Sequence, residues 1–158
     1  MNGNRFRNRA SFGKRQEYTI IAEMLKRGFD VYIPLVDDQH IDCIIRRGAS
    51  DYLDVQIKAR SKDCIPFDAG RFAAMDIPDP RDNYFFIFYS EQTDCHWVFP
   101  SLRLVELASR NKQGANVGKY HINLTGCSEK KGQVYPNPKF DEYKNNFSLL
   151  AGVKKEVE

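Results

Sequence analysis

The sequence predicts a mixed α/β domain, α+β by some criteria, and three observations carry that prediction. Apolar residues at helical spacing open the chain, three short strand-like segments follow with no helix between them, and an unbroken aromatic run, YFFIFYS from Tyr84 to Ser90, reads as a central strand covered on both faces. The first helix is expected over Phe12 to Lys26, where Ile20, Ile21, Met24 and Leu25 fall at helical spacing and Gly28 supplies a C-terminal stop. Val31 to Val36, Ile41 to Arg46 and Tyr52 to Arg60 have strand character, and the polar turns between them suit an antiparallel meander. Residues 61–83 hold Pro66, Gly70, Pro78 and Pro80 and read as a loop or lid, with a short helix at Ala69 to Met75. His96 to Phe99 resembles the hairpin partner of the aromatic strand, and Ser101 is placed to cap a helix over Leu102 to Ser109. Tyr120 to Leu124 reads as a strand. Phe140, Tyr143, Phe147 and Leu150 then place a closing helix over Pro138 to Leu150.

At 158 residues the chain fits one domain, set at residues 13–152 between a basic flexible arm (1–12) and a charged tail (153–158). Hydrophobic residues at 42% and charged residues at 28% exclude a disordered chain, and no apolar run approaches the roughly 20 residues of a bilayer span. The basic N-terminus lacks a following apolar stretch of secretory type, so the expected compartment is the cytoplasm, with no membrane partner. Four cysteines, Cys43, Cys64, Cys95 and Cys127, stand without CxxC or CxxH spacing, which argues against a zinc knuckle.

The net charge of +3 is small, but its distribution is uneven. Arg5, Arg7, Arg9, Lys14 and Arg15 lie in the first 16 residues with no acid among them, whereas the rest of the chain is net acidic. Such a stretch can order along a phosphate backbone, because each neutralised phosphate releases counterions; a solubilising terminus is the alternative.

The segment YLDVQIKAR carries the chemistry. Alternation puts Leu53, Val55, Ile57 and Ala59 against a core and Tyr52, Asp54, Gln56, Lys58 and Arg60 on the opposite, polar face. Asp42 sits among Ile41, Cys43, Ile44 and Ile45, where an unpaired carboxylate would be costly, so it needs a partner or a cation. If the two strands form a hairpin, Asp42 lies within roughly 5 to 10 Å of Gln56 and Lys58. Taken alone, Asp42 and Lys58 read as a simple cross-strand ion pair, and Glu17 as a solvated helix acid.

Taken in order, these residues resemble the PD-(D/E)XK nuclease superfamily, which includes restriction endonucleases and Holliday junction resolvases. The matching elements are Glu17 in the first helix, Gly-Phe-Asp-Val at 28–31, Asp42 within HIDCII, and Gln56-Ile57-Lys58 on the next strand. The resemblance covers about residues 13 to 60, with Gln56 in place of the usual second carboxylate, a QxK variant that also occurs in the superfamily. WVFPS at Trp97 to Ser101 and the terminal helix look similar to uncharacterised bacterial members. The resemblance implies a restriction endonuclease-like core, a mixed central sheet of α-β-β-β-α-β type flanked by helices. It implies a metal-dependent endonuclease acting on DNA, more than on RNA, including structured or branched DNA. Mg²⁺ or Mn²⁺ would be held by Asp42, the Gln56 side-chain oxygen, the Ile57 carbonyl and Glu17, while Lys58 positions the nucleophile or stabilises charge on phosphorus.

One carboxylate 4 Å from a unit charge is worth about 4 kcal/mol at an effective dielectric near 20, so losing one at Gln56 should weaken the metal. Asp54, on the same face, could supply the missing charge through water. Arg46, Arg47, Arg60 and Lys62 could track phosphates near the cleft, and His40 could face it as an accessory base. A nucleic-acid-binding protein of nuclease-like fold with weak or no catalysis is the alternative, and a scaffold whose QxK is accidental is a third. Superfamily relatives often act as dimers, so a homodimer is a possible state.

Overall fold

A computed structural model describes residues 8–36 and 39–152; Arg5 and Arg7 of the basic arm, and the tail 153–158, lie outside the described residues. Helix α1 (Arg9–Lys26) opens the fold, with the Asn8 side chain capping its first turn by accepting the Ser11 N–H at 2.9 Å. The helix therefore takes in residues 9–12, assigned to the arm from sequence, and carries Arg9, Lys14 and Arg15 on its first two turns. It ends at Gly28, whose φ of 85° turns the chain out.

Strands β1 (Asp30–Tyr32), β2 (Cys43–Gly48) and β3 (Asp51–Arg60) form the expected antiparallel meander. The first is shorter than its apolar run, because Ile33, Leu35 and Val36 are exposed beyond the pairing. Strand β4 (Arg71–Met75) belongs to a separate small sheet. Strands β5 (Tyr84–Ser90) and β6 (Cys95–Pro100) complete a five-stranded mixed sheet of order β1-β2-β3-β5-β6, in which β5 runs parallel to β3 and antiparallel to β6. Helix α2 (Ser101–Leu107) follows, then β7 (Ser109–Arg110), β8 (Tyr120–Asn123), β9 (Thr125–Cys127) and β10 (Val134–Pro136). The small sheets are β4-β8-β7 and β9-β10.

The main sheet separates two cores. On one face Ile20, Ile21 and Met24 of α1 pack on Cys43, Ile45, Leu53, Val55 and Ile57. On the other, Phe86, Phe88 and Phe99 pack against Phe72, Leu104 and Tyr143. Apart from the half-buried Tyr89, every residue of β5 is buried, which accounts for an aromatic run with no polar alternation.

Three expectations are corrected. Residues 69–75 do not form a helix: β4 pairs with β8, Phe72 packs its ring on Phe88 at 4.7 Å, and a Cβ at Gly70 would meet Thr125 Cγ2 at 2.5 Å. Sheet pairing outweighs the helix propensity of Ala and Met there. The connection from β3 to the parallel β5, residues 61–83, thus contains a strand and a 3-10 turn in place of the helix of an α-β-β-β-α-β plan.

The closing helix is also absent, replaced by 3-10 turns at Pro138–Phe140 and Phe147–Leu150. The chain between them spends its backbone bonds on the free edge of β6: Val98 N–H donates to the Tyr143 carbonyl (3.0 Å) and Asn145 N–H to the His96 carbonyl (2.7 Å). The apolar spacing survives, since Phe140, Tyr143, Phe147 and Leu150 are all buried. Among the described residues, no helix is long and apolar enough to cross a membrane.

Candidate active site

The β2–β3 ladder ends at Cys43 opposite Val55, and the next step of the same register sets Asp42 opposite Gln56. The Asp42 N–H still donates to the Val55 carbonyl at 2.8 Å. Beyond that bond the strands part, and the Asp42 carboxylate turns inward to accept the Ile57 N–H at 2.5 Å. A side chain thereby replaces the carbonyl that a continuing ladder would have supplied. Because Cys43 and Val55 face the α1 core, Asp42 and Gln56 project to the opposite face, which Lys58 shares.

Gln56 is only 8% exposed, and Tyr84 at the start of β5 is 1% exposed. The Tyr84 hydroxyl donates toward the His40 carbonyl oxygen (3.0 Å) and toward Gln56 Oε1 (3.2 Å), tying the β3 amide to the loop before Asp42. That loop is bent: His40 has φ 57°, the left-handed region that costs a non-glycine residue energy unless its surroundings hold it. Burial pushes the Tyr84 phenol up to about 12, against the pull of the Arg81 guanidinium stacked 4.7 Å over its ring.

Burial lowers the Lys58 ammonium below its ordinary value, while the charges of Asp42 and Asp76 pull it back up. Asp42 and Lys58 therefore share one electrostatic neighbourhood, as the hairpin predicts. Asp76, just beyond β4, was not foreseen; it also pairs with Lys119 at 3.7 Å. Glu17 arrives from the helix side of the sheet, paired with Lys14 at 2.7 Å. Burial first, then the Asp42 and Glu17 charges, pushes the intervening Cys43 thiol up to about 12.

The structure thus brings Asp42, Gln56, Ile57 and Lys58 together where β2 leaves β3, with Glu17 across the sheet. Asp54 does not join them: its carboxylate is ion-paired with Arg81. Arg46 and Arg47 lie at the hairpin end of β2, away from Asp42, where Arg47 pairs with Asp51 at 2.7 Å. Arg60 donates to the Arg71 carbonyl at 2.6 Å and lies over Phe72; Lys62 is exposed beyond β3. Arg60 and Arg9 line a concavity of about 610 Å³ between the start of α1 and the loop after β3. His40 borders two smaller concavities, about 300 and 460 Å³, which also take in Arg81 and Tyr84 in one and Asp76 and Arg110 in the other. Its exposed side chain contributes less to the site than its carbonyl does.

The donors are oxygens of a carboxylate, an amide and a peptide carbonyl, hard ligands that fit Mg²⁺ or Mn²⁺. Ile57 turns its N–H, and with it its carbonyl, toward the opened β2 edge. The Cys43 thiol, held protonated, offers no competing soft ligand. Among the described residues no group of three His, Cys, Asp or Glu side chains could hold a metal ion, so the neutral donors and water must complete such a site.

A helix, an antiparallel meander and a parallel strand together deliver an acid and a lysine to a parted strand pair on a mixed sheet. The chain belongs to the PD-(D/E)XK endonuclease family, whose model matches residues 8–117. A bacterial homing endonuclease, I-Ssp6803I, shares the fold, with a TM-score of 0.59 and 20% identity over 91% of each chain. No curated protein matches the chain.

Proposed function

We propose that this protein is a metal-dependent endonuclease that hydrolyses phosphodiester bonds of DNA. The observation that supports it most is the parting of β2 and β3 at Asp42, which sets a carboxylate, a buried amide and a desolvated lysine on one face. Asp42, Gln56 and the Ile57 carbonyl would hold the cation, with Glu17, called a ligand from sequence, adding its negative charge from the helix side of the sheet. A divalent cation there would polarise the phosphoryl group and make water a better nucleophile at neutral pH. Lys58 holds its proton near the attacked phosphorus, where a desolvated ammonium counters developing negative charge more strongly than in water. Asp42 sets the spacing by fixing its own carboxylate on the Ile57 amide. Arg9, Lys14 and Arg15 on α1, with Arg5 and Arg7 ahead of them, and Arg60 and Lys62 beyond β3, would meet the backbone phosphates.

The homing endonuclease of the same fold is consistent with DNA as the substrate, and duplex and branched forms compete within that class. A nicking assay on supercoiled plasmid with Mg²⁺ and Mn²⁺ titrated, beside the Asp42→Ala protein, tests the proposal. Metal-dependent nicking lost in the variant supports it, and nicking retained by both Asp42→Ala and Lys58→Ala removes it. The second reading, a DNA-binding domain with little chemistry, draws on the lack, among the described residues, of three His, Cys, Asp or Glu side chains grouped to hold a metal ion. It expects DNA binding that persists in EDTA without any nicking.

A further inference from the structure

A carboxylate shows an oxygen to a cation whichever way it turns, whereas an amide has one oxygen end and one NH₂ end of nearly the same shape. Hydrogen bonds decide which end points where. The only hydrogen-bond partner of the Gln56 side chain among the described residues is the Tyr84 hydroxyl, 3.2 Å from Oε1. That hydroxyl has a single proton and also lies 3.0 Å from the His40 carbonyl, a group able only to accept.

We propose that Tyr84 is a positioning residue that lets Gln56 serve a cation: when Oε1 turns to the metal, Nε2–H takes its place on the Tyr84 oxygen, and the Tyr84 proton passes wholly to the His40 carbonyl. The inference rests on the metal-dependent reading of the site given above. The hydroxyl is suited to this because it can donate or accept, so whichever end of the buried amide faces it finds a partner. A phenylalanine would leave a buried amide end and the His40 carbonyl without the partner. The same contact braces the left-handed turn at His40, two residues before Asp42, so one hydroxyl aligns both candidate ligands.

The test is a double-mutant cycle read as Mn²⁺ affinity, by electron paramagnetic resonance titration of the full chain without DNA. Tyr84→Phe should weaken Mn²⁺ binding roughly tenfold in the natural background, the size of one lost hydrogen bond, and by no more than about twofold in the Gln56→Glu background. A merely structural role for Tyr84 would lower affinity equally in both, and that result, or no effect in either, overturns the inference. Should the natural protein bind no Mn²⁺ that Asp42→Ala abolishes, the metal reading fails and takes the inference with it. If Tyr84→Phe does not fold, the ¹⁵N-labelled Gln56 side-chain amide, assigned by its loss in Gln56→Glu, gives the second measurement. Its NH₂ resonances should shift on Mg²⁺ addition in the natural protein, and unchanged resonances at saturating Mg²⁺ overturn the exchange.

Discussion

The Asp42 carboxylate accepts the main-chain N–H of Ile57 at 2.5 Å, fifteen residues along the chain and across the point where two paired strands separate. The acid is held by the neighbour of the two residues it is proposed to work with, so its placement does not depend on the cation arriving first.

Asp42→Asn keeps an oxygen for the Ile57 N–H, whereas Asp42→Ala leaves that donor without its partner. The alanine variant should lose about 1–3 kcal/mol of stability by urea unfolding and the asparagine variant clearly less. Both should lose roughly 100-fold or more of nicking activity, so stability and activity separate at this position.

Burial holds the Lys58 proton less firmly in the folded chain than in the unfolded one. Below the lowered folded value both states are charged and the full desolvation cost is present. As pH rises from there toward 10.5, the folded state loses its proton first and gains stability relative to the unfolded chain. Lys58→Met should therefore be more stable than the natural protein at neutral pH while inactive in nicking, and the stability gap should narrow in denaturant titrations on approaching pH 10.5. A gap independent of pH would contradict the burial of a charged Lys58.

Gln56→Glu adds a negative charge to a site short of one. It should lower the Mn²⁺ concentration for half-maximal binding by about tenfold, the modest remainder after desolvation offsets the Coulomb attraction. A titration monitored by spin resonance or calorimetry reads this directly.

Asp54 and Arg81 form a partly buried ion pair beside the Tyr84 ring. Asp54→Asn should cost about 1 kcal/mol in urea unfolding and leave Mn²⁺ affinity within about twofold, because that carboxylate serves Arg81 and not the cation. A tenfold loss of affinity would return Asp54 to the site.

The meander and the chemical triplet were legible in the sequence because they are local: alternation in YLDVQIKAR fixes which side chains share a face, and Gly28 marks where α1 must stop. Tyr84 was not, because its role depends on the parallel register that sets it beside Asp54, and nothing within YFFIFYS tells a capping hydroxyl from one more buried ring. Asp76 was hidden for the same reason, lying in a stretch read as a lid whose strand pairs with β8, about fifty residues away. The closing segment misled because its buried positions repeat at helical spacing while its backbone belongs to the edge of β6.

The parallel pairing of β3 with β5 has a kinetic consequence. A two-strand hairpin closes in microseconds, whereas a parallel neighbour must wait for residues 61–83 to be threaded across the sheet. The Asp42 side of the candidate site can therefore form with the local meander, and the Tyr84 side is completed only when the non-local β5 docks. Nascent chains released before Ser90 would present the acid and lysine on an unfinished sheet, without the Tyr84 hydroxyl that ties Gln56 to the loop before Asp42.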